Sequence, residues 1–259
     1  MSVNSLPSYK TPPVMEVVLG VTFETLSSVK LPHIGLFWDT IRSEFPKCQQ
    51  APTLGNIDAV IERESGVPLP RVWLINQNDD NLIQLQKNKF LFNWRKRQAD
   101  YPRFSAVSSQ FFIYLDKFKR FLSDNELGSI APSECELTYI NHIPKGTVWE
   151  TPKDVGSILP DIQWRERQRR FLPHPSAINW SAAFMMPNQA GSLLIKLNYG
   201  TRMPDNMPLF ILELTAKGTP KDGEDANIKE WYSIAREWIV KGFEDLTSEK
   251  AQREHWEKT

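Results

Sequence analysis

RVWLINQNDDNLIQLQKNKFLFNW, residues 71–94, spells a three-stranded antiparallel meander. The run from Arg71 to Asn76 is rich in the β-branched and aromatic side chains that strands favour. Gln77-Asn78-Asp79-Asp80 is turn chemistry, and residues 82–86 and 89–94 flank a tight Lys87-Asn88 reversal. Downstream, residues 108–127 place Phe111, Leu115, Phe118 and Leu122 at i, i+4, i+7 and i+11. That stripe predicts a long amphipathic helix, which Gly128 can close. Upstream, the β-branched run 14–24 predicts a strand. Residues 34–45 predict a helix with Ile34, Phe37, Trp38, Ile41 and Phe45 on one face, stopped by Pro46. The polar, proline-bearing stretch 47–70 reads as a connection.

The same order of elements recurs. Residues 134–143 predict a strand, 153–159 a reduced helix and 177–186 a strand turned by Pro187 to Gly191. Residues 192–200 alternate, with Leu193, Ile195, Leu197 and Tyr199 to one side and Lys196 and Asn198 to the other. After a proline-marked turn (202–208), 209–216 predicts another strand. Residues 228–246 predict a helix with Trp231, Ala235, Trp238, Ile239 and Leu246 on one face. The expected fold is therefore α+β, built from two similar halves, 1–130 and 131–259. Each half reads strand, helix, three-strand meander and helix, with antiparallel sheets and the long helices packed on one face. The outline resembles the duplicated folds of TATA-box-binding and gyrase-inhibitor-like proteins, in architecture alone.

Composition narrows the function classes. The 259 residues carry 31 Lys+Arg against 31 Asp+Glu, a formal charge of zero, which argues against a globally basic nucleic-acid coat. The chain is long enough to bury a core without metal or disulfide staples. Its two cysteines, Cys48 and Cys135, read as free thiols, buried or half-buried, in a reducing compartment. The four histidines are scattered, so no metal site and no cofactor is expected. No GxGxxG and no GxxxxGK[ST] occurs. Met1 to Lys10 is polar and reads as neither signal peptide nor membrane anchor, so a cytoplasmic protein is expected.

Two segments stand out. Trp94, Arg95, Lys96, Arg97 and Arg103 form one tryptophan–arginine cluster; Trp164, Arg165, Arg167, Arg169 and Arg170 form another. Guanidinium groups fork onto phosphates and stack on aromatic faces, so both clusters suit a protein partner or nucleic acid. On a strand, Arg165, Arg167 and Arg169 would form one exposed row, which also guards a sheet edge. Glu16, on the first strand, and His142, in Tyr139-Ile140-Asn141-His142-Ile143, are the candidates for a ligand pocket between the halves. Neither has a nucleophile at a recognised spacing, so no catalytic residue is assigned. Trp256 at the C-terminal end needs either its own core or another subunit as a partner.

A family likeness runs through nearly the whole chain. It is carried by Pro12-Pro13-Val14-Met15-Glu16-Val17-Val18, by Leu82-Ile83-Gln84 to Asn93-Trp94-Arg95 with Tyr101-Pro102-Arg103-Phe104, by Leu137-Thr138-Tyr139-Ile140-Asn141, and by Gly242-Phe243-Glu244-Asp245-Leu246-Thr247 with Trp256. Taken in that order, these segments resemble a sporadically distributed prokaryotic family of roughly 250-residue proteins with no established activity. Thr138 stands where a basic residue is often expected. The resemblance implies no catalytic residues, and its patchy distribution implies a role in genome conflict, as a subunit for antiviral defence or toxin neutralisation. Together these readings predict a non-catalytic binding protein whose partner is another protein or a second copy of the chain. Nucleic-acid binding through the tryptophan–arginine clusters is the second reading. A small-ligand sensor or enzyme using Glu16 and His142 is the third.

Overall fold

The computed structural model describes residues 6–52, 54, 69–165 and 167–259. As expected, the chain is mixed α+β, with helices on one face of an antiparallel sheet of nine strands. The strands are β1 (Val14–Phe23), β2 (Lys47–Ala51), β3 (Arg71–Ile75), β4 (Asn81–Gln86), β5 (Lys89–Arg95), β6 (Pro132–Pro144), β7 (Trp180–Met185), β8 (Ser192–Arg202) and β9 (Met207–Gly218). They are hydrogen-bonded in the order β2-β3-β4-β5-β1-β6-β9-β8-β7. With β2 set aside, the order reads alike from either end, β3-β4-β5-β1 matching β7-β8-β9-β6. The helices are α1 (Leu31–Ile41), α2 (Phe104–Asp124), α3 (Asp225–Leu246) and α4 (Glu249–Glu254). The chain divides into two compact units. One comprises Glu16–Glu136 with Thr219–Ile228; the other comprises Met1–Met15, Leu137–Gly218 and Lys229–Thr259.

In the first unit the predicted meander is present, and its registers sort every side chain to a face. Val17, Leu19 and Val21 of β1 pair with Trp94, Phe92 and Phe90 of β5, which in turn pair with Asn81, Ile83 and Leu85 of β4. This face is buried under α2. Phe90 stacks on Phe118 at 5.7 Å, and Phe92 on Tyr114 at 5.9 Å. Helix α1 starts three residues earlier than its apolar spacing predicts, because Pro32 is tolerated in a first turn that has no hydrogen bonds to lose. Its Ile34, Phe37 and Ile41 are buried, with Phe37 edge-on to Phe118 at 5.0 Å. Strand β2 falls within the stretch read as a connection. Lys47 to Gln50 are exposed and polar, so nothing in their pattern marks a strand; pairing with β3, from Lys47↔Ile75 to Ala51↔Arg71, makes it one. Residues 55–68 of that stretch lie outside the described residues.

In the second unit β8 alternates as predicted. Leu193, Ile195, Leu197 and Tyr199 pair with Ala216, Leu214, Leu212 and Phe210 of β9. Trp231, Ala235, Ile239 and Phe243 of α3 are buried. Trp238 and Leu246, expected on the same core stripe, are only half-buried. The apolar face of α3 is therefore wider than the sheet beneath it covers. Ser248 caps α4, its hydroxyl accepting from the Ala251 amide at 3.2 Å. Trp256 finds its partners within its own unit, in Phe243 at 5.0 Å and Tyr9 at 6.5 Å. Gly191 closes the β7–β8 turn at φ +125°, and a Cβ there would lie 1.9 Å from the Lys217 carbonyl oxygen. Only glycine fits that position. Of the two free thiols, Cys135 is buried as expected and Cys48, on the polar edge strand β2, is exposed.

Candidate functional site

The first tryptophan–arginine cluster is split between the core and the surface. Trp94 stands on the helix-side face of β5, opposite Val17, and is buried with its ring 5.2 Å from Tyr101. Arg95 pairs with Asp79, and Arg97 donates from Nε to Asp79 Oδ2 at 2.8 Å. Lys96 reaches Asp100 at 3.4 Å. Arg103 is exposed at the residue before α2. The sequence hid these pairings: Asp79 lies in the β3–β4 turn, and only the hairpin brings it beside Arg95.

Glu16 heads a polar chain on the face of the first unit opposite the helices. Its carboxylate accepts from Asn93 Nδ2 at 2.5 Å, and Asn93 Oδ1 accepts from Gln84 Nε2 at 2.8 Å. Gln84 Oε1 accepts from Arg71 Nη1 at 3.0 Å and from the Trp73 indole at 3.1 Å. The chain thus crosses β1, β5, β4 and β3 and fixes their register. Burial pushes the Glu16 pKa up, against the Asn93 hydrogen bond and the charges of Arg95 and Arg97, which pull it down. Each carboxamide here already serves a neighbour, so the network is built to hold strands together.

His142 belongs to the second unit, on β6, so Glu16 and His142 fall in different units. Its amide donates to the Pro13 carbonyl at 2.9 Å. Burial, then the Arg202 charge, holds its pKa below the ordinary imidazole range. No cluster of three or more histidine, cysteine or acidic side chains that could hold a metal occurs among the described residues. Among the same residues, no helix is long and apolar enough to cross a membrane.

The second cluster is a loop, not the strand that its alternating arginines suggest. The Arg170 guanidinium lies 4.2 Å from the Trp164 ring centre and donates to the Arg165 carbonyl at 2.5 Å, folding the loop on itself. Arg165, Arg167 and Arg169 are exposed, and Phe171 beyond them is 99% exposed.

Sequence reasoning missed an exposed apolar strand in the second unit. Strand β7, Trp-Ser-Ala-Ala-Phe-Met, is the last in the sheet and carries no charge. Phe184 is 39% exposed and Met185 78% exposed. In the first unit the matching strand, β3, has its outer side covered by β2. Beside β7 an open groove of about 900 Å³ runs between α3 and the sheet, floored by Phe184, Leu193, Ile195, Trp238 and Leu246. The half-buried Trp238 and Leu246 of α3 are thereby accounted for: they wall this groove. Gly242, also in the wall, lets α3 approach β8; a Cβ there would sit 3.1 Å from Leu193 Cδ2. The groove is 300–1,000 Å³ in class by volume, the span of ligand sites in general. No family model matches the chain, and no curated protein matches it.

Proposed function

We propose that this chain is a non-catalytic binding protein that holds a protein partner along the β7 side of its second unit. One observation carries the reading: an uncharged terminal strand, Trp180–Met185, with Phe184 and Met185 exposed. Terminal strands that face water carry lysine, proline or bulges that prevent pairing with other chains. At the opposite end of the sheet, β2 does this with Lys47, Gln49 and Gln50. β7 has no such guard, and an apolar stretch left open in this way suits pairing with another chain. The same proposal places the protein in the cytoplasm, as a subunit of a prokaryotic defence or toxin-neutralising complex, in line with the family it resembles. Replacing Met185 by a photo-crosslinking phenylalanine analogue in the native cell tests it. The expected product is one discrete heterologous adduct, absent when the analogue stands at exposed Lys250. Equal, diffuse labelling at both positions contradicts the reading.

Nucleic acid is favoured by one separate observation, the exposed Arg165, Arg167 and Arg169 beside Phe171. The first cluster adds less to it, because three of its cations, Arg95, Arg97 and Lys96, already pair with Asp79 or Asp100. Binding to oligonucleotides that falls steeply between 50 and 200 mM salt would support this second reading. Affinity weaker than about 10⁻⁴ M at low salt excludes it.

A further inference from the structure

The two units differ in the chain that joins their first strand to the meander. In the first, the chain between β1 and β3 supplies a helix and then a strand: α1 packs against α2 through Phe37, and β2 closes the outer side of β3. In the second, the matching stretch between β6 and β7, residues 145–179, holds among its described residues only the 3₁₀ helix Pro152–Ser157. Among the described residues, none pairs with the outer side of β7, and the groove lies along the flank of α3. What fills such a place in this fold is on view in the same chain: an amphipathic helix presenting Ile34, Phe37 and Ile41, at i, i+3 and i+7.

We infer that the groove beside α3 receives an amphipathic helix of the partner, with apolar anchors at i, i+3 and i+7 and basic residues on its flanks. The inference rests on the protein-binding reading above and names the partner's chemistry. The anchors follow from the floor, where Phe184, Trp238 and Leu246 offer apolar surface to a helix about 10 Å across. The basic flanks follow from the rim, which carries Glu237, Glu244, Asp245 and Glu249 against Lys241 and Lys258. Lys241 is already bound to Glu237 at 2.5 Å and Lys258 to Glu244 at 2.5 Å. Two lysines against four carboxylates leave a net negative rim. Complementary charge of that kind steers association and rejects partners of like sign. A second copy of this chain would offer its own acidic rim at the same place, so a basic segment of another protein is the better occupant.

The test is selection from a displayed library of 16-residue helices, apolar at i, i+3 and i+7 and randomised on both flanks, against the full chain. Enriched sequences should be rich in lysine and arginine on the flanks. A synthetic peptide of the winning sequence should bind, and its twin with glutamate for every flanking cation should bind at least tenfold more weakly. Phe184→Asp and Trp238→Glu should each weaken binding at least tenfold, while Phe171→Asp, which does not line the groove, should not. Because Phe184 and Trp238 are not fully buried, both variants should keep a cooperative melt. Should one of them fail to fold, the other decides. No enrichment, enrichment without a charge bias, or binding indifferent to both groove variants overturns the inference. So does self-association through Phe184 without peptide binding. If the helices fail while Met185 still forms its heterologous adduct, the partner reading stands and the helix is wrong. If both fail, the partner reading falls as well.

Discussion

Replacing Glu16 separates a strand-locking role from a catalytic one. The carboxylate is held by Asn93 Nδ2 at 2.5 Å, and its pKa is raised chiefly by burial. A carboxyl whose pKa is higher in the folded state than in the unfolded state favours folding most when protonated. Its contribution is therefore complete below the unfolded value, near 4.5, and is lost as pH rises through the folded value. Glu16→Gln keeps an acceptor for Asn93 and removes the buried charge, along with its attraction to Arg95 and Arg97. Since burial is the largest influence, the variant should match or exceed the parent in stability at pH 7, and the difference should vanish toward pH 4. Glu16→Leu keeps the volume but leaves the Asn93 amide without its acceptor. An unsatisfied buried donor costs about 1–3 kcal/mol. At roughly 2–4 °C per kcal/mol for a chain of this size, the melting temperature of Glu16→Leu should lie about 2–12 °C below that of Glu16→Gln at pH 7. Thermal unfolding of the three proteins at pH 4 and pH 7 measures both effects. A Glu16→Gln variant destabilised by more than about 2 kcal/mol at pH 7 would refute the reasoning, because the attraction of Arg95 and Arg97 would then outweigh burial.

Other consequences are open to simpler measurements. Gly191→Ala puts a Cβ 1.9 Å from the Lys217 oxygen at a φ of +125°, and its loss should exceed the ~1–3 kcal/mol of backbone strain alone, read by urea unfolding. Phe118→Ala empties the contact between α1, α2 and β5, where Phe118 meets Phe37 at 5.0 Å and Phe90 at 5.7 Å. It should cost about 3–5 kcal/mol, and a loss under 1 kcal/mol would contradict the described packing. Cys48 is exposed, and partial desolvation by its neighbours raises its pKa, while Cys135 is buried. A thiol reagent should therefore label one site in the native protein, faster as pH rises past the ordinary thiol range, and two after denaturation.

The sequence carried more of the fold than of the site. Residues 71–94, the 108–127 stripe and the alternation of 192–200 were legible because one face of each element is buried, and burial writes its period into the residues. β2 was not, because a polar exposed strand is defined by its neighbour's backbone and has no pattern of its own. The internal pairing of the first tryptophan–arginine cluster was hidden for a related reason. Arginine and tryptophan look alike on paper whether they face outward or, as Trp94 and Arg95 do, pack inward and pair with a turn aspartate. The strand β7 was legible, but its open side was not written in its own residues. That β7 ends the sheet depends on strand order, and that α3 keeps an open flank depends on what residues 145–179 do not build. The sequence signalled this only indirectly, in the reduced helix expected at 153–159 and found at Pro152–Ser157.

The most direct measurement is the photo-crosslink from position 185 in the native cell. A single heterologous partner joined at β7 is expected, with the adduct lost when Phe184 is changed to aspartate. Labelling of position 185 that yields no discrete product, or one unaffected by Phe184→Asp, would contradict it.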